Sequence, residues 1–273
     1  MASGTRETTH ERAQRSLDGQ VALVTGGGKG IGRAIALELS GHGARVIVTG
    51  RVERELGEIV GEIVHGGGQA RHIAGDVRDP QHVRDAVARA IEIWGRLDIV
   101  IANAGIAGTV RMGEAGGIAK AKEILDTNLF GTYLVFDAAL SAMKGPGRLI
   151  AISSVLGKFG APGQAAYGAS KTGLHGLVRA VAAEVGSLGV TCNALCPGWV
   201  DTEMARARIG EIALETKTTY EDAREAASRG TPLGRFVEAE EVARLAVFLC
   251  SRGADAITGQ AISVCGGTTL FAG

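Results

Sequence analysis

A surplus of charge is missing from this chain: 29 lysines and arginines meet 29 aspartates and glutamates, for a formal net charge of +0. Such a chain has no overall field to steer a polyanion, so no nucleic-acid partner is expected, although a local basic pocket survives the argument. Long apolar runs are missing too. None reaches the roughly 20 residues that cross a membrane, and the polar leader over 1–20 has no apolar core of the signal-peptide kind. A soluble, cytoplasmic protein without membrane contact is expected. The four cysteines, Cys192, Cys196, Cys250 and Cys265, lack close paired metal-ligand spacing and a nearby histidine cluster, so buried, reduced thiols are expected and a bound metal is not. Only 5 prolines stand against 42 glycines. That composition excludes a disordered chain and points to many tight backbone sites.

What is present is an alternation. Short apolar runs at 21–24, 45–49, 70–74, 97–101, 149–152, 190–195 and 261–264 read as strands. Between them lie helix-compatible segments: one opening at Arg33, then 53–65, 81–94, 120–139, a long one carrying Tyr167 through Val181, and 237–249. Repeated strand–helix units predict an α/β fold with a doubly wound parallel sheet in one domain. Residues 1–18 are expected to form a flexible N-terminal extension, 19–268 the catalytic domain and 269–273 a C-terminal tail. Residues 199–235 break the rhythm, with short helices near 204–214 and 220–228, and read as a helical lid over a cleft.

The first strand turns at Thr25-Gly26-Gly27-Gly28-Lys29-Gly30-Ile31-Gly32 into a helix. Glycines there let backbone approach a phosphate, and a helix start offers unsatisfied N–H groups. The second strand ends at Gly50-Arg51, where a dinucleotide site for NAD would carry an acidic residue for the ribose hydroxyls. Lys29 and Arg51 instead suit a 2′-phosphate, which favours NADPH/NADP+ over NADH. Asp76, at the end of the third strand, either accepts from the adenine amino group or caps its turn. Asn103, in Asn103-Ala104-Gly105 at the end of the fourth, is suited to tying neighbouring strand ends together. Asn128 lies inside a helical segment, where its propensity is poor and a compensating role is needed.

The fifth strand delivers Ser153 and Ser154, and a Gly/Pro loop then leads to Tyr167-Gly168-Ala169-Ser170-Lys171. The i,i+4 offset puts phenol and ammonium on one helical face. A nearby ammonium favours the phenolate, so Lys171 is expected to depress the Tyr167 pKa and fit it for proton transfer.

Taken in order, Thr25-Gly26-x-x-x-Gly30-x-Gly32, Asp76, Asn103-Ala104-Gly105, Asn128, Ser154, Tyr167-x-x-x-Lys171 and Pro197-Gly198 resemble the short-chain dehydrogenase/reductase family over residues 18–268. Within it the chain is most similar to 3-oxoacyl reductases and aromatic polyketide ketoreductases, through the long insertion after Pro197-Gly198 and the ending Val264-Cys265-Gly266-Gly267. The resemblance implies a Rossmann-like fold and a catalytic tetrad of Asn128, Ser154, Tyr167 and Lys171. Ser154 is preferred to Ser153 because it stands thirteen residues before the tyrosine. Cofactor contacts are implied for Thr25, Gly26, Gly28, Lys29, Gly30, Ile31, Gly32, Arg51, Asp76, Val77, Asn103, Ala104, Gly105, Tyr167, Lys171, Pro197 and Gly198. The Val200 backbone and the Thr202 hydroxyl are implied to orient the nicotinamide carboxamide. Asn128 is implied to hold a water linking Lys171 to solvent. A small-molecule carbonyl or alcohol substrate and a homotetramer follow from the same resemblance, and an acyl carrier protein is a candidate partner. Leu188 stands where some fatty-acid reductases use an arginine to dock that carrier. The expected substrate wall is 105–111, 155–164 and 199–212, with Trp199 either lining the cleft or packing. Two alternatives remain: an alcohol dehydrogenase working oxidatively, separated by kinetics with both cofactors, and a nonenzymatic cofactor-binding regulatory or structural protein, separated by a carbonyl panel and a partner pull-down.

Overall fold

A computed structural model describes residues 16–270. Seven parallel strands run in the order β3-β2-β1-β4-β5-β6-β7, over Val21–Thr25 (β1), Arg45–Gly50 (β2), Gln69–Ala74 (β3), Ile99–Ala102 (β4), Gly147–Ile152 (β5), Val190–Pro197 (β6) and Ala261–Val264 (β7). Helices Gly30–Gly41 (α1), Glu53–His65 (α2), Pro80–Trp94 (α3), Gly117–Leu125 (α4), Gly131–Ala142 (α5), Ala165–Val185 (α6), Glu203–Thr216 (α7), Tyr220–Arg229 (α8) and Ala239–Cys250 (α9) complete the chain.

The period of two along each strand divides the core. Ala22, Val24, Val46, Val48, Ile99, Ile101 and Ile150 face α1, α2 and α9. Val21, Leu23, Ile47, Val100, Leu149 and Ala151 face α3, α5 and α6 on the other side. Central strands buried on both faces need continuous apolar runs, which explains their legibility in the sequence. The sheet order reverses between β1 and β4, and a parallel sheet opens a crevice at such a point beyond its strand ends.

Four differences from the sequence expectations have local causes. Positions 1–15 of the expected extension lie outside the described residues, but 16–18 do not belong to a flexible segment. Leu17 is fully buried in the sheet core and its amide donates to the His42 carbonyl at 3.0 Å. Burying such a side chain contributes about 1.5–3 kcal/mol. The fourth strand starts at Ile99 because Asp98 is used as a bracket, accepting from the Val21 amide at 2.9 Å and from Arg96 at 2.7 Å. The helix expected over 120–139 is interrupted by a π-helical turn, Asp126–Phe130, with Asn128 inside it. Such bulges widen one turn and re-aim a side chain, often at functional sites.

Finally, the last helix begins at Ala239, after Val237 has paired with Val200. Here the Glu241 carboxylate accepts from the Glu238 amide at 2.9 Å and from two Arg235 nitrogens at 2.7 and 2.8 Å. The Arg235 bonds hold the Glu241 pKa down at about 2. Because the folded pKa is depressed, this stabilisation is present above the unfolded value near 4.3 and is lost as pH falls through about 2. Glu241→Gln is expected to cost about 1 kcal/mol at neutral pH, or about 2–4 °C in Tm. Melts repeated at descending pH are expected to show that difference closing.

The segment expected as a lid is largely helical. Ala205, Ile209, Ala213, Ala223 and Phe236 form a separate small core, with Trp199 and Tyr220 packed on it.

Candidate active site

At the crevice, the end of β1 and the start of α1 are drawn into contact. A β-carbon on Gly32 would lie 2.2 Å from the Gly26 carbonyl oxygen, so no side chain fits there. Gly26 itself has φ of 62°, in the region that favours glycine. The Thr25 hydroxyl accepts from the amides of Asn103 and Ala104, both at 3.1 Å. The Asn103 amide nitrogen donates to the Thr25 and Gly26 carbonyls at 2.9 and 3.0 Å. Thr25, Gly32 and Asn103 thereby staple the two strand ends at the reversal point, as expected for Asn103.

A cleft of about 250 Å³ opens above them. Of the expected cofactor residues, Gly26, Gly28, Lys29, Gly30, Ile31, Arg51, Asp76, Val77, Asn103, Ala104, Gly105 and Thr202 line it. Thr25, Gly32, Tyr167, Lys171, Pro197, Gly198 and Val200 are not among its lining residues. Gly198 instead packs on the end of β7, its amide donating to the Val264 carbonyl at 3.0 Å, and Val200 is buried in the sheet core. Lining residues missed in the sequence include Val52, Glu55 and Thr127, whereas Ile106, Glu203 and Met204 fall within the expected substrate walls.

The donor chemistry of this cleft fits a dinucleotide. Helix α1 starts without a side-chain cap and without an acidic residue in its first turn, which leaves its amides available to a pyrophosphate. Lys29 Nζ lies 3.0 Å from Glu203 Oε2 and 3.8 Å from Glu55 Oε1, and the Glu203 bond raises its pKa. Arg51 makes no ion pair among the described residues. For Asp76 the turn-capping role is the one seen: its carboxylate accepts from the Arg78 amide at 2.9 Å and from the Arg78 guanidinium at 2.6 Å. That guanidinium holds its pKa below the usual carboxylate range.

Beyond the cleft lie the proposed reacting groups. Ser154 caps the short turn Val155–Gly157, accepting from the Leu156 amide at 3.2 Å. Its hydroxyl acts on the Tyr167 phenol, which α6 presents in its first turn, and draws the phenol pKa down. Lys171, one turn on, donates from Nζ to the Ile152 carbonyl at 2.8 Å and lies 5.6 Å from the centre of the Tyr167 ring.

The expected depression of the Tyr167 pKa is not what this geometry produces. Burial pushes the phenol up, with only the Ser154 hydroxyl acting against it. The Lys171 ammonium is spent on Ile152 and faces the ring, and its own pKa is pulled down to about 8 by burial.

The π-turn sets Asn128 fully inside. Its Oδ1 accepts from the Ile106 amide at 2.8 Å, and its nitrogen donates to the Ile106 carbonyl at 2.9 Å and Ser170 Oγ at 3.1 Å. Both amide hydrogens are thus committed to a brace between the loop after β4 and helix α6. Gly105 passes between the two: a β-carbon there would meet Asn128 Oδ1 at 3.2 Å and Lys171 Nζ at 3.5 Å. Asn128 and Lys171 thus stand behind Gly105, which lines the cleft, and Tyr167 lies beside Lys171.

The expected substrate walls also meet. Val110 bridges Gln164, Gln164 donates to Thr109 at 3.4 Å, and Thr109 reaches Glu211 of the lid at 3.4 Å. Trp199 stacks on Phe236 at 5.6 Å between centroids, which is the packing role. Thr202 caps α7, accepting from the Ala205 amide at 3.4 Å, and its Cγ2 would lie 3.3 Å from a β-carbon on Gly30.

Known proteins resemble this chain in sequence and in fold. A sequence profile described as enoyl-(acyl carrier protein) reductase matches residues 26–269. A granaticin polyketide synthase putative ketoacyl reductase of Streptomyces violaceoruber is 38% identical over 258 residues, covering 90% of this chain and 92% of that one. A 3-oxoacyl-(acyl-carrier-protein) reductase of Pseudomonas aeruginosa is 38% identical over 257 residues, covering 92% and 98%. Among solved structures, an actinorhodin polyketide ketoreductase variant crystallised with NADPH superposes with a TM-score of 0.87 at 36% identity, covering 91% of this chain and 97% of that one.

Proposed function

Because the chain belongs to the short-chain dehydrogenase/reductase family, we propose that Asn128, Ser154, Tyr167 and Lys171 are the machinery with which it reduces a ketone to a secondary alcohol. It is an NADPH-dependent oxidoreductase of the ketoreductase type, acting on 3-oxoacyl or polyketide-like carbonyls. The observation that carries the residue assignment is the position of Lys171 Nζ, 5.6 Å from the centre of the Tyr167 ring and, with Asn128 Oδ1, flanking Gly105 of the cleft.

NADPH, when bound, supplies the hydride. The uncapped start of α1 and the glycines of its turn would hold the pyrophosphate, and Lys29 and Arg51 the 2′-phosphate. Ser154 and Tyr167 offer two hydroxyls to one substrate oxygen, so a donor waits where negative charge develops. Tyr167 gives its proton to that oxygen. A phenol kept protonated by burial suits this direction of chemistry. Lys171 supplies the nearby positive charge, and Asn128 fixes the loop carrying Gly105 against it. The second lone pair of Asn128 Oδ1 is what remains for the water that refills the proton.

The finer assignments are a polyketide or 3-oxoacyl chain as substrate, a homotetramer and a cytoplasmic setting. No described helix is long and apolar enough to cross a membrane. Edge strand β7 is half-buried along its whole length, and Phe130 stacks on Tyr133 at the surface, 6.1 Å apart; both offer surface to further copies. Leu188 is exposed and provides no cation for a carrier, so a substrate presented without that contact is favoured over a carrier-bound one. The test is an NADPH-coupled panel of cyclic ketones, aromatic diketones, 3-oxoacyl thioesters and 2-enoyl thioesters. Turnover of carbonyls is expected. Turnover of the enoyl thioester alone would overturn the reading.

A further inference from the structure

Beneath the tetrad lies a buried polar cluster that the mechanism does not use. His175 stands four residues after Lys171 on the same face of α6, and Ser153 and Cys196 come from the ends of β5 and β6. All three are buried. The His175 Nε2 lies 3.0 Å from Ser153 Oγ and 3.3 Å from Cys196 Sγ. Ser153 Oγ is in turn 3.0 Å from the Lys171 carbonyl oxygen. Resting on the proposed function, we propose that His175 is a positioning residue that acts through Ser153 on Lys171, fixing the lysine and the neighbouring Ser154 for proton transfer.

The hydrogen count gives the chain its direction. A carbonyl only accepts, and the Ser153 hydroxyl has one proton to give. Both contacts are satisfied when Ser153 donates to the Lys171 carbonyl and His175 Nε2–H donates to Ser153, with the Cys196 sulfur beside it as a weak acceptor. This places a proton on Nε2. Burial, with the cationic Lys158 and Arg179 facing it, lowers its pKa and keeps the ring neutral.

The consequence is a lysine held at two points. Its Nζ donates to the Ile152 carbonyl, and its backbone carbonyl receives the hydroxyl of the very next residue, Ser153. The loop after Ser154 is clamped by the same ring, since a β-carbon on Gly157 would lie 2.9 Å from His175 Cε1 and 3.0 Å from the Lys171 carbonyl carbon. Without the imidazole donor, the Ser153 hydroxyl has no reason to keep its orientation, and Ser154 and Lys171 lose a shared reference.

The test compares His175→Leu, His175→Gln, Ser153→Ala and the double variant Ser153→Ala/His175→Leu for kcat, KM, NADPH affinity and Tm. Misplacement near the chemistry predicts a loss of about 10- to 100-fold in kcat for His175→Leu with NADPH affinity little changed. Glutamine, whose amide nitrogen reaches as far as Nε2, is expected to restore most of that loss. The double variant is expected to be no worse than the poorer single, because both lie on one chain of bonds. A lowered Tm with unchanged kcat in His175→Leu, or losses that multiply in the double variant, would overturn the proposal. If His175→Leu does not fold, full activity in Ser153→Ala overturns it equally. Tyr167→Phe, assayed alongside, separates the two levels: retained turnover there sinks the function assigned to the tetrad, whereas a dead Tyr167→Phe with a fully active His175→Leu sinks only this inference.

Discussion

Tyr167→Phe is expected to lose about 10²- to 10⁴-fold in kcat, the range that a positioned general acid contributes, while NADPH binds as before. The ring remains in place to pack and to face Lys171, and only the proton is gone. Because burial raises the phenol pKa, Tyr167 stays protonated through neutral pH and is ready as an acid. The group that titrates in the working range is Lys171, lowered to about 8. In the ligand-free protein its ammonium is present below that value and is lost as pH rises through it, so the carbonyl-reducing activity is expected to decline on the alkaline side. Stopped-flow turnover across pH, with NADPH fluorescence titrations on the same samples, checks both statements. A Tyr167→Phe enzyme with wild-type kcat would remove the residue from the reaction.

The second large effect is expected at the cofactor's adenosine end. Arg51→Ala should lower kcat/KM with NADPH by about 10- to 100-fold, since hydrogen bonds to charged groups contribute about 1.5–3 kcal/mol, and leave kcat/KM with NADH unchanged. Lys29→Ala should cost less. Lys29 already has Glu203 at 3.0 Å and Glu55 at 3.8 Å, so meeting a phosphate means giving up an existing partner, whereas Arg51 has no such bond to break. Glu203→Gln is accordingly expected to tighten NADPH binding. Equal losses with both cofactors in Arg51→Ala would show that the guanidinium does not read the 2′-phosphate.

The fold was legible where physics is local. Strands buried on both faces spell continuous apolar runs, and Val21–Thr25, Arg45–Gly50 and Ala261–Val264 were bounded to within a residue or two. The glycine turn, the Gly50-Arg51 tip and the Tyr167/Lys171 offset were readable for the same reason. What was not readable depends on partners distant in sequence. Thr25 looks like a cofactor ligand in a motif, yet its hydroxyl holds the amides of Asn103 and Ala104, a distinction visible only once β1 and β4 are side by side. The π-turn at Asn128 was signalled by a residue unsuited to a helix, but its register is fixed by Ile106 and Ser170. Leu17 sits in a charged, polar leader and is buried because the sheet core has room for it. Lysine beside tyrosine implied a lowered phenol pKa, and the opposite direction came from burial, which no spacing reveals.

The central claim is that this site delivers a hydride to a carbonyl carbon while Tyr167 protonates the oxygen. Reduction of an accepted ketone with NADPH deuterated at the transferable position tests it most directly. The expected result is one deuterium on the carbinol carbon of the product and a slowed single turnover, with none of the label released to solvent. An alcohol product free of deuterium, formed while the labelled NADPH is consumed, would contradict the account.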